Sequence, residues 1–182
     1  MRLMPLALPG LMLLESRIFR DERGAFLETW NARVLAAAGL AATFVQDNLS
    51  LSQRHVLRGL HYQVRQPQAK LVRVLAGAVY DAVVDLRRSS PAFGRACTLE
   101  LSADEHRALW VPAGFAHGFL ALADDTRVQY KVTDYWAPEW ERTLAWDDPA
   151  LGIDWPLPPG QAPQLSAKDR AGTALAAAES YR

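Results

Sequence analysis

The secondary structure of this chain is clearest in residues 72–86, which read VRVLAGAVYDAVVDL. Every even position from Val72 to Leu86 is apolar, apart from the tyrosine at position 80, and odd positions hold Arg73, Asp81 and Asp85. A period of two is typical of a β-strand that buries one face. Gly77 interrupts the pattern at its centre, where a turn is expected. Residues 72–86 therefore predict two consecutive strands joined at Gly77.

Further strands are predicted outward from this pair. Residues 126–132 alternate again, and the apolar residues 44–45 and 119–122 predict further short strands. Many short strands separated by Gly and Pro indicate an antiparallel barrel or sandwich. The fold class is therefore expected to be mainly β.

Few helices are expected. Asn31 is a good N-cap for a short helix that runs through Leu35 and ends at Gly39. The alanine-rich residues 173–179 predict a second helix, and the proline-rich residues 136–169 predict ordered loop. With 182 residues, we expect one domain over 1–182, with a barrel core at about 44–135 and a C-terminal loop and helix segment at 136–182.

Composition excludes several functions. Twenty Lys and Arg balance twenty Asp and Glu, which argues against a nucleic-acid binder that relies on bulk charge. No apolar run approaches the ~18 residues of a membrane span. The apolar residues 3–14 contain Pro5, Pro9 and Gly10 and precede no cleavage site, so we do not expect a secretory signal. The single Cys97 requires no oxidising compartment, and a cytoplasmic location is expected.

Strand parity places two polar side chains inside the predicted barrel. Lys70 shares the parity of Val72, and Tyr130 shares that of Val128 and Val132. An inward ammonium is costly unless a cavity or a partner accommodates it. We therefore expect a cavity that accepts an anionic or carbonyl ligand.

The histidines do not form a convincing metal set. His117 lies in a Pro-x-Gly-x-x-His segment that resembles the second motif of cupin barrels, and His61 lies where the first motif would be. No second His stands two residues from His61, and catalytic metal sites normally use three protein ligands. No metal is expected, and His61 is free to act as a base. A hydrolase is also disfavoured, because no Gly-x-Ser-x-Gly elbow is present.

Eight segments in series identify a family. They are Asp21-Glu22-Arg23-Gly24, Phe44-Val45-Gln46-Asp47-Asn48, Leu57-Arg58-Gly59-Leu60-His61-Tyr62-Gln63, Lys70-Leu71-Val72-Arg73, Val84-Asp85-Leu86-Arg87, Ser90-Pro91-Ala92-Phe93-Gly94, Pro112-Ala113-Gly114-Phe115-Ala116-His117-Gly118-Phe119 and Leu165-Ser166-Ala167-Lys168-Asp169. Together they resemble the dTDP-4-dehydrorhamnose 3,5-epimerase family. The resemblance implies a cupin-type (jelly-roll) antiparallel barrel with a few short helices. It further implies a homodimer, no metal or other cofactor, and a dTDP-sugar as the partner.

The implied reaction inverts C3 and C5 of dTDP-4-dehydro-6-deoxy-D-glucose and gives dTDP-4-dehydro-L-rhamnose, in the biosynthesis of dTDP-L-rhamnose. His61 matches the family's base and Asp169 its carboxylate partner. Lys70 matches the group beside the C4 oxygen, and Tyr130 matches the proton donor. These roles suit the chemistry, because a proton next to a ketone is removable only if the enolate oxygen is stabilised.

The remaining matches concern substrate binding. Arg23 and Arg58 resemble contacts to the diphosphate and nucleotide, supplemented by Lys168. Trp136 falls where the family has an aromatic that stacks on thymine. The family's other ligand-facing positions are matched by Glu28, Gln46, Asp47, Asn48, Glu141 and His117. The first four of these contact the nucleotide or sugar either within one chain or across the dimer.

Three alternatives stay open at this point. The first is an epimerase that inverts only C3 or only C5, whose relatives share nearly all of these segments. The second is a metal-dependent cupin oxygenase or isomerase. The third is a sugar-nucleotide binding module without catalysis, which would not need a base opposite an acid.

Overall fold

The computed structural model describes residues 1–182 and contains thirteen strands and two short α-helices. All pairings between the named strands are antiparallel. The strands are β1 Arg2–Pro5, β2 Met12–Glu15, β3 Ile18–Asp21, β4 Gly24–Leu27, β5 Gln46–Ser52, β6 Leu57–Gln63, β7 Lys70–Ala76, β8 Ala78–Asp85, β9 Ala96–Ser102, β10 Arg107–Val111, β11 Phe115–Ala121, β12 Thr126–Val132 and β13 Glu141–Thr143. The helices are α1 Ala32–Ala37 and α2 Ala167–Arg170, and three single 3-10 turns lie at Pro138–Trp140, Pro149–Leu151 and Leu175–Ala177. None of these helices has both the length and the apolar character that a membrane-spanning helix requires.

Two sheets form the barrel. The first has the order β1-β2-β10-β7-β12-β5 and the second has the order β13-β6-β11-β8-β9, while β3 and β4 form a separate hairpin. The main apolar core lies between the sheets, because it joins Val72 and Leu109 of the first to Val83 and Phe119 of the second. The expected antiparallel cupin-type barrel is confirmed. Both sheets extend beyond residues 44–135, since β1 and β2 lie before them and β13 after them.

The predicted strand pair is confirmed, with β7 and β8 on either side of Gly77. Gly77 has a φ of +73°, and a Cβ there would lie 2.5 Å from Oγ1 of Thr126, so glycine suits this turn. The predicted strand at residues 126–132 is β12. The expectation at residues 44–45 is wrong in its position, because β5 begins at Gln46.

Each sheet has a second apolar layer on its outer face. Helix α1 places Leu35 against Leu71 and Ala108 of the first sheet. Its predicted N-cap is confirmed, because the Asn31 side chain accepts a hydrogen bond from the Val34 backbone N–H.

The C-terminal region covers the outer face of the second sheet with Leu144, Trp155, Leu175 and Tyr181. The predicted helix at residues 173–179 is wrong, since only one 3-10 turn forms there. An isolated helix of this length is marginal, and this segment instead bonds to its neighbours: Thr173 pairs with Leu144, and the Leu175 N–H donates to Asp148.

Candidate active site

A polar cavity of about 420 Å³ opens at one end of the barrel between the two sheets. Strands β5, β7 and β12 of the first sheet supply Asn48, Lys70 and Tyr130. Strands β6 and β11 of the second sheet supply His61 and His117. The cavity therefore brings together side chains from opposite walls of the barrel.

Most of the residues predicted from sequence line this cavity. They are Gln46, Asn48, Arg58, His61, Lys70, His117, Tyr130, Trp136, Glu141, Lys168 and Asp169. The expectation that Lys70 and Tyr130 point inward is confirmed.

Three predicted residues lie away from the cavity of their own chain. The Arg23 side chain is 85% exposed at the tip of the β3–β4 hairpin and pairs with Asp21 at 2.5 Å. Glu28 accepts a hydrogen bond from the Asn31 side chain, and Asp47 pairs with Lys131 at 2.7 Å.

His61 and Asp169 form the shortest polar contact in the cavity. Nε2 of His61 lies 2.6 Å from Oδ1 of Asp169. Asp169 stands in the first turn of α2, where Ser166 donates to Oδ2 at 2.7 Å and the Gly59 N–H donates to Oδ1 at 3.3 Å. Burial alone would raise the pKa of Asp169, but the bonds from His61 and Ser166 outweigh it and lower that pKa to about 2.

The pair holds His61 ready to accept a proton. An ionised carboxylate only accepts hydrogen bonds, so Nε2 carries the hydrogen and Nδ1 keeps its lone pair. Burial lowers the pKa of His61 below its usual value, and the hydrogen bond to Asp169 opposes this only in part. The imidazole is therefore neutral near pH 7 and suited to act as a base.

Lys70 is buried, with 8% of its surface exposed. Its Nζ donates to the His61 carbonyl at 3.4 Å. Burial lowers the pKa of Lys70 to about 8, although Glu141 and Asp81 oppose the shift. The side chain is an ammonium at neutral pH, held in a poorly solvated place where its charge acts strongly.

Tyr130 stands on the wall opposite His61. It lies on β12, which pairs with β7. Val132 is the cross-strand partner of Lys70, and Tyr130 lies two residues before Val132. Burial raises the pKa of the Tyr130 phenol, and Glu141 adds to this. The phenol therefore stays protonated and can donate a proton.

A second histidine–carboxylate pair lies beside the first. His117 is the direct partner of His61 across β11 and β6, and its Nε2 contacts the Asp81 oxygens at 2.9 and 3.1 Å. Asp81 is fully buried. Asp81 was not predicted as a site residue, because the alternation in residues 72–86 suggested that the even positions are buried and the odd positions are solvent-facing. In β8 the odd positions Val79 and Val83 instead lie in the core between the sheets, and Asp81 shares their face.

Ser166 was also missed, although a signal was present. Ser166 and Asp169 have the spacing of a helix N-cap and its third residue. The structure shows that geometry, since Ser166 Oγ accepts from the Asp169 N–H at 3.1 Å. The cap fixes Asp169 for His61.

Two hydrogen-bond acceptors fix the orientation of the Arg58 guanidinium. Its Nε donates to Ser52 Oγ at 3.0 Å and its Nη2 to the Leu51 carbonyl at 3.0 Å. Lys168 pairs with Glu141 at 3.0 Å. Both cations line the cavity and suit an anionic ligand. No group of three His, Cys, Asp or Glu side chains has the arrangement of a metal site.

The fold and this cavity define a cupin-type barrel enzyme whose side chains are arranged for proton transfer. Comparison with known proteins identifies the family. A family model for dTDP-4-dehydrorhamnose 3,5-epimerase matches residues 5–177. The dTDP-4-dehydrorhamnose 3,5-epimerase of Pseudomonas aeruginosa is 54% identical over 177 residues, which are 97% of each chain. The chain belongs to the dTDP-4-dehydrorhamnose 3,5-epimerase family.

Solved structures agree with this assignment. The dTDP-6-deoxy-D-glucose-3,5-epimerase of Legionella pneumophila, in complex with dTDP-4-keto-L-rhamnose, has a TM-score of 0.92 and 46% identity, over 98% of this chain and 94% of that chain. A 3'-monoepimerase from Streptomyces bikiniensis, in complex with dTDP-quinovose, has a TM-score of 0.88 and 35% identity, over 94% and 87%. Proteins of both specificities therefore share this fold.

Proposed function

We propose that this enzyme inverts C3 and C5 of dTDP-4-dehydro-6-deoxy-D-glucose, gives dTDP-4-dehydro-L-rhamnose, and needs neither metal nor other cofactor. One observation carries the proposal: a histidine base and a tyrosine acid enter one cavity from opposite sheets, with a buried lysine beside them. Inversion requires that a carbon lose its proton on one face and regain one on the other. Reaction at a single carbon would use the same groups.

His61 removes the proton from the carbon next to the C4 ketone. The electron pair of the broken C–H bond moves into the enolate, and negative charge develops on the C4 oxygen. The Lys70 ammonium stabilises that charge, and one such contact contributes roughly 3 kcal/mol. Asp169 stabilises the imidazolium that forms.

Tyr130 returns a proton to the opposite face of the carbon. Its raised pKa keeps the phenol protonated until the enolate takes the proton. The reaction involves no change of oxidation state, so proton transfer and charge stabilisation suffice for it.

The nucleotide is bound by the cationic lining residues Arg58 and Lys168. These cations pair with the diphosphate, and Trp136 stacks on the base. The polar lining residues Gln46, Asn48, His117 and Glu141 contact the sugar or nucleotide.

The enzyme acts as a homodimer in the cytoplasm. The β3–β4 hairpin exposes Phe26 and Arg23, and the edge strand β5 exposes Leu49 and Leu51. An exposed edge strand with apolar side chains favours pairing with another strand or burial under another protein surface. A second copy provides that cover, and Arg23, Glu28 and Asp47 then contact the partner's ligand.

Mixing two inactive variants tests the role of Arg23 across the dimer. If Arg23 serves the partner's cavity, equal amounts of Arg23→Ala and His61→Asn form mixed dimers with one complete site. Activity should then return to about a quarter of the wild-type value, because half of the dimers are mixed and each has one of two sites. No recovery after verified subunit exchange would contradict the proposal.

Deuterium incorporation tests the reaction itself. After dialysis against EDTA, the enzyme is incubated with dTDP-4-dehydro-6-deoxy-D-glucose in deuterated water, and NMR follows both carbons. The proposal predicts deuterium at both C3 and C5, and a rate of incorporation equal to that of enzyme not treated with EDTA. Label at one carbon would indicate a single-centre epimerase, the second candidate that the monoepimerase relative favours. A rate lost with EDTA and restored by a divalent metal would contradict the cofactor-independent mechanism.

A further inference from the structure

Trp136 is held in place although it lies in irregular structure. Its side chain is largely exposed at the cavity mouth, with 56% of the residue accessible. The peptide groups on both sides of it are nevertheless fixed by one side chain: Gln63 Nε2 donates to the Tyr135 carbonyl at 3.2 Å, and Gln63 Oε1 accepts from the Ala137 N–H at 2.9 Å. The Gln63 amide thus brackets Trp136 as a neighbouring strand would.

Gln63 itself is buried, with 3% of its surface exposed. Its Nε2 also donates to the Gln66 carbonyl at 2.8 Å, so both amide hydrogens and the amide oxygen have partners. All three bonds go to the backbone of loops, and none goes to another group of the cavity. A buried amide is stable only when its hydrogen bonds are made, so these loops and Gln63 fix each other.

A residue of the cavity lining also fixes the backbone of Trp136. The Trp136 N–H donates to Oε1 of Gln46, which lines the cavity. An exposed tryptophan on a free loop would lose conformational entropy when a ligand ordered it. Hydrogen bonds on both sides of its backbone remove the backbone part of that cost before the ligand arrives.

We propose that Gln63 is a positioning residue for nucleotide affinity, whose side-chain amide fixes the backbone of Trp136 so that the indole is pre-arranged to stack on the base of the dTDP-sugar. The inference rests on the proposed function, since it assumes a nucleotide ligand. Gln63 does not touch the substrate and acts through Trp136.

A double-mutant cycle tests this role. Gln63→Met keeps the length of the side chain and removes all three hydrogen bonds. Isothermal titration with dTDP should show affinity about five-fold weaker or more in Trp136→Ala, within the range expected for one base–aromatic stack. Gln63→Met should weaken dTDP binding at least about three-fold and raise KM with little change in kcat. In the Trp136→Ala background, Gln63→Met should have no further effect on affinity.

The matched control is Tyr181→Phe. The Tyr181 hydroxyl donates to the backbone carbonyl of Gln63, on the other side of the same residue. Its loss should lower the melting temperature and leave dTDP affinity unchanged. If Gln63→Met does not fold, Gln63→Glu keeps the acceptor for Ala137 and loses both donors, and the same cycle applies with it. Hydrogen exchange of residues 133–140 should be faster in either variant.

Three results would overturn the inference. Additive effects of the two substitutions on affinity would mean that Gln63 does not act through Trp136. Wild-type affinity in Gln63→Met, or in Trp136→Ala, would have the same consequence. A wild-type enzyme that binds no dTDP and exchanges no substrate proton would instead contradict the proposed function.

Discussion

Replacement of Asp169 by Asn should reduce kcat and move the acid limb of the pH–rate profile. The variant keeps the shape of the side chain and removes its charge from Nε2 of His61, 2.6 Å away. The pKa of Asp169 is lowered from 3.8 to about 2, chiefly by His61 and Ser166 against the effect of burial. At about 1.4 kcal/mol per pKa unit, the site favours the ionised carboxylate by about 2.5 kcal/mol.

Part of that free energy comes from His61 and is available to the imidazolium in the transition state. Its loss predicts a fall in kcat of at least about 10-fold from charge alone. The fall would approach the roughly 10⁴-fold loss seen when Asn imposes the wrong histidine tautomer in a serine protease. Without the carboxylate, the pKa of His61 is lowered further, so the acid limb of kcat/KM moves to lower pH.

Initial rates between pH 5 and 9, measured by NMR of the substrate, check this prediction. Ser166→Ala is the matched control, because it removes one hydrogen bond to the carboxylate and keeps the charge. Its kcat should lie between those of the wild type and Asp169→Asn. A kcat for Asp169→Asn within about two-fold of the wild type, or an acid limb that moves to higher pH, would refute the reasoning.

Three further substitutions test other parts of the site. Because burial lowers the pKa of Lys70 to about 8, kcat should fall above that pH as the ammonium is lost, and Lys70→Arg should move this alkaline limb upward in a pH–rate profile. Arg58→Ala should raise KM by about 10-fold or more with a smaller change in kcat in steady-state assays, because a charge-assisted bond to the diphosphate is lost. Gly118→Ala should lower the free energy of unfolding in urea by about 1–3 kcal/mol, since its Cβ would lie 2.5 Å from the Arg58 carbonyl. The corresponding prediction would be contradicted by an unchanged alkaline limb in Lys70→Arg, an unchanged KM in Arg58→Ala, or an unchanged urea midpoint of unfolding in Gly118→Ala.

The sequence predicted best where one face of a strand is buried and the other is not. Strand β12 was found at its observed limits because Val128 and Val132 alternate with polar residues. Lys70 and Tyr130 were placed in the cavity by the same parity. The same parity gave the wrong face for Asp81, because β8 turns its odd positions Val79 and Val83 into the core while the C-terminal segment buries its even positions.

Local propensity failed where distant contacts decide the conformation. The alanines of residues 173–179 favour a helix, but Leu175 and Tyr181 are instead packed against the second sheet, and the segment forms only one 3-10 turn. The role of Gln63 was equally hidden. The three backbone groups that bond to its side chain lie on two loops, and the loop that holds Tyr135 and Ala137 is more than 70 residues away in the chain.

Tyr130→Phe in deuterated water tests whether His61 and Tyr130 act on opposite faces of the bound sugar. The variant keeps the base and loses the donor. Substrate recovered from the reaction should still acquire deuterium at C3 and C5, while conversion to the inverted product should fall by at least about 10-fold relative to that exchange. Equal loss of exchange and inversion, with the fold intact by circular dichroism, would contradict it.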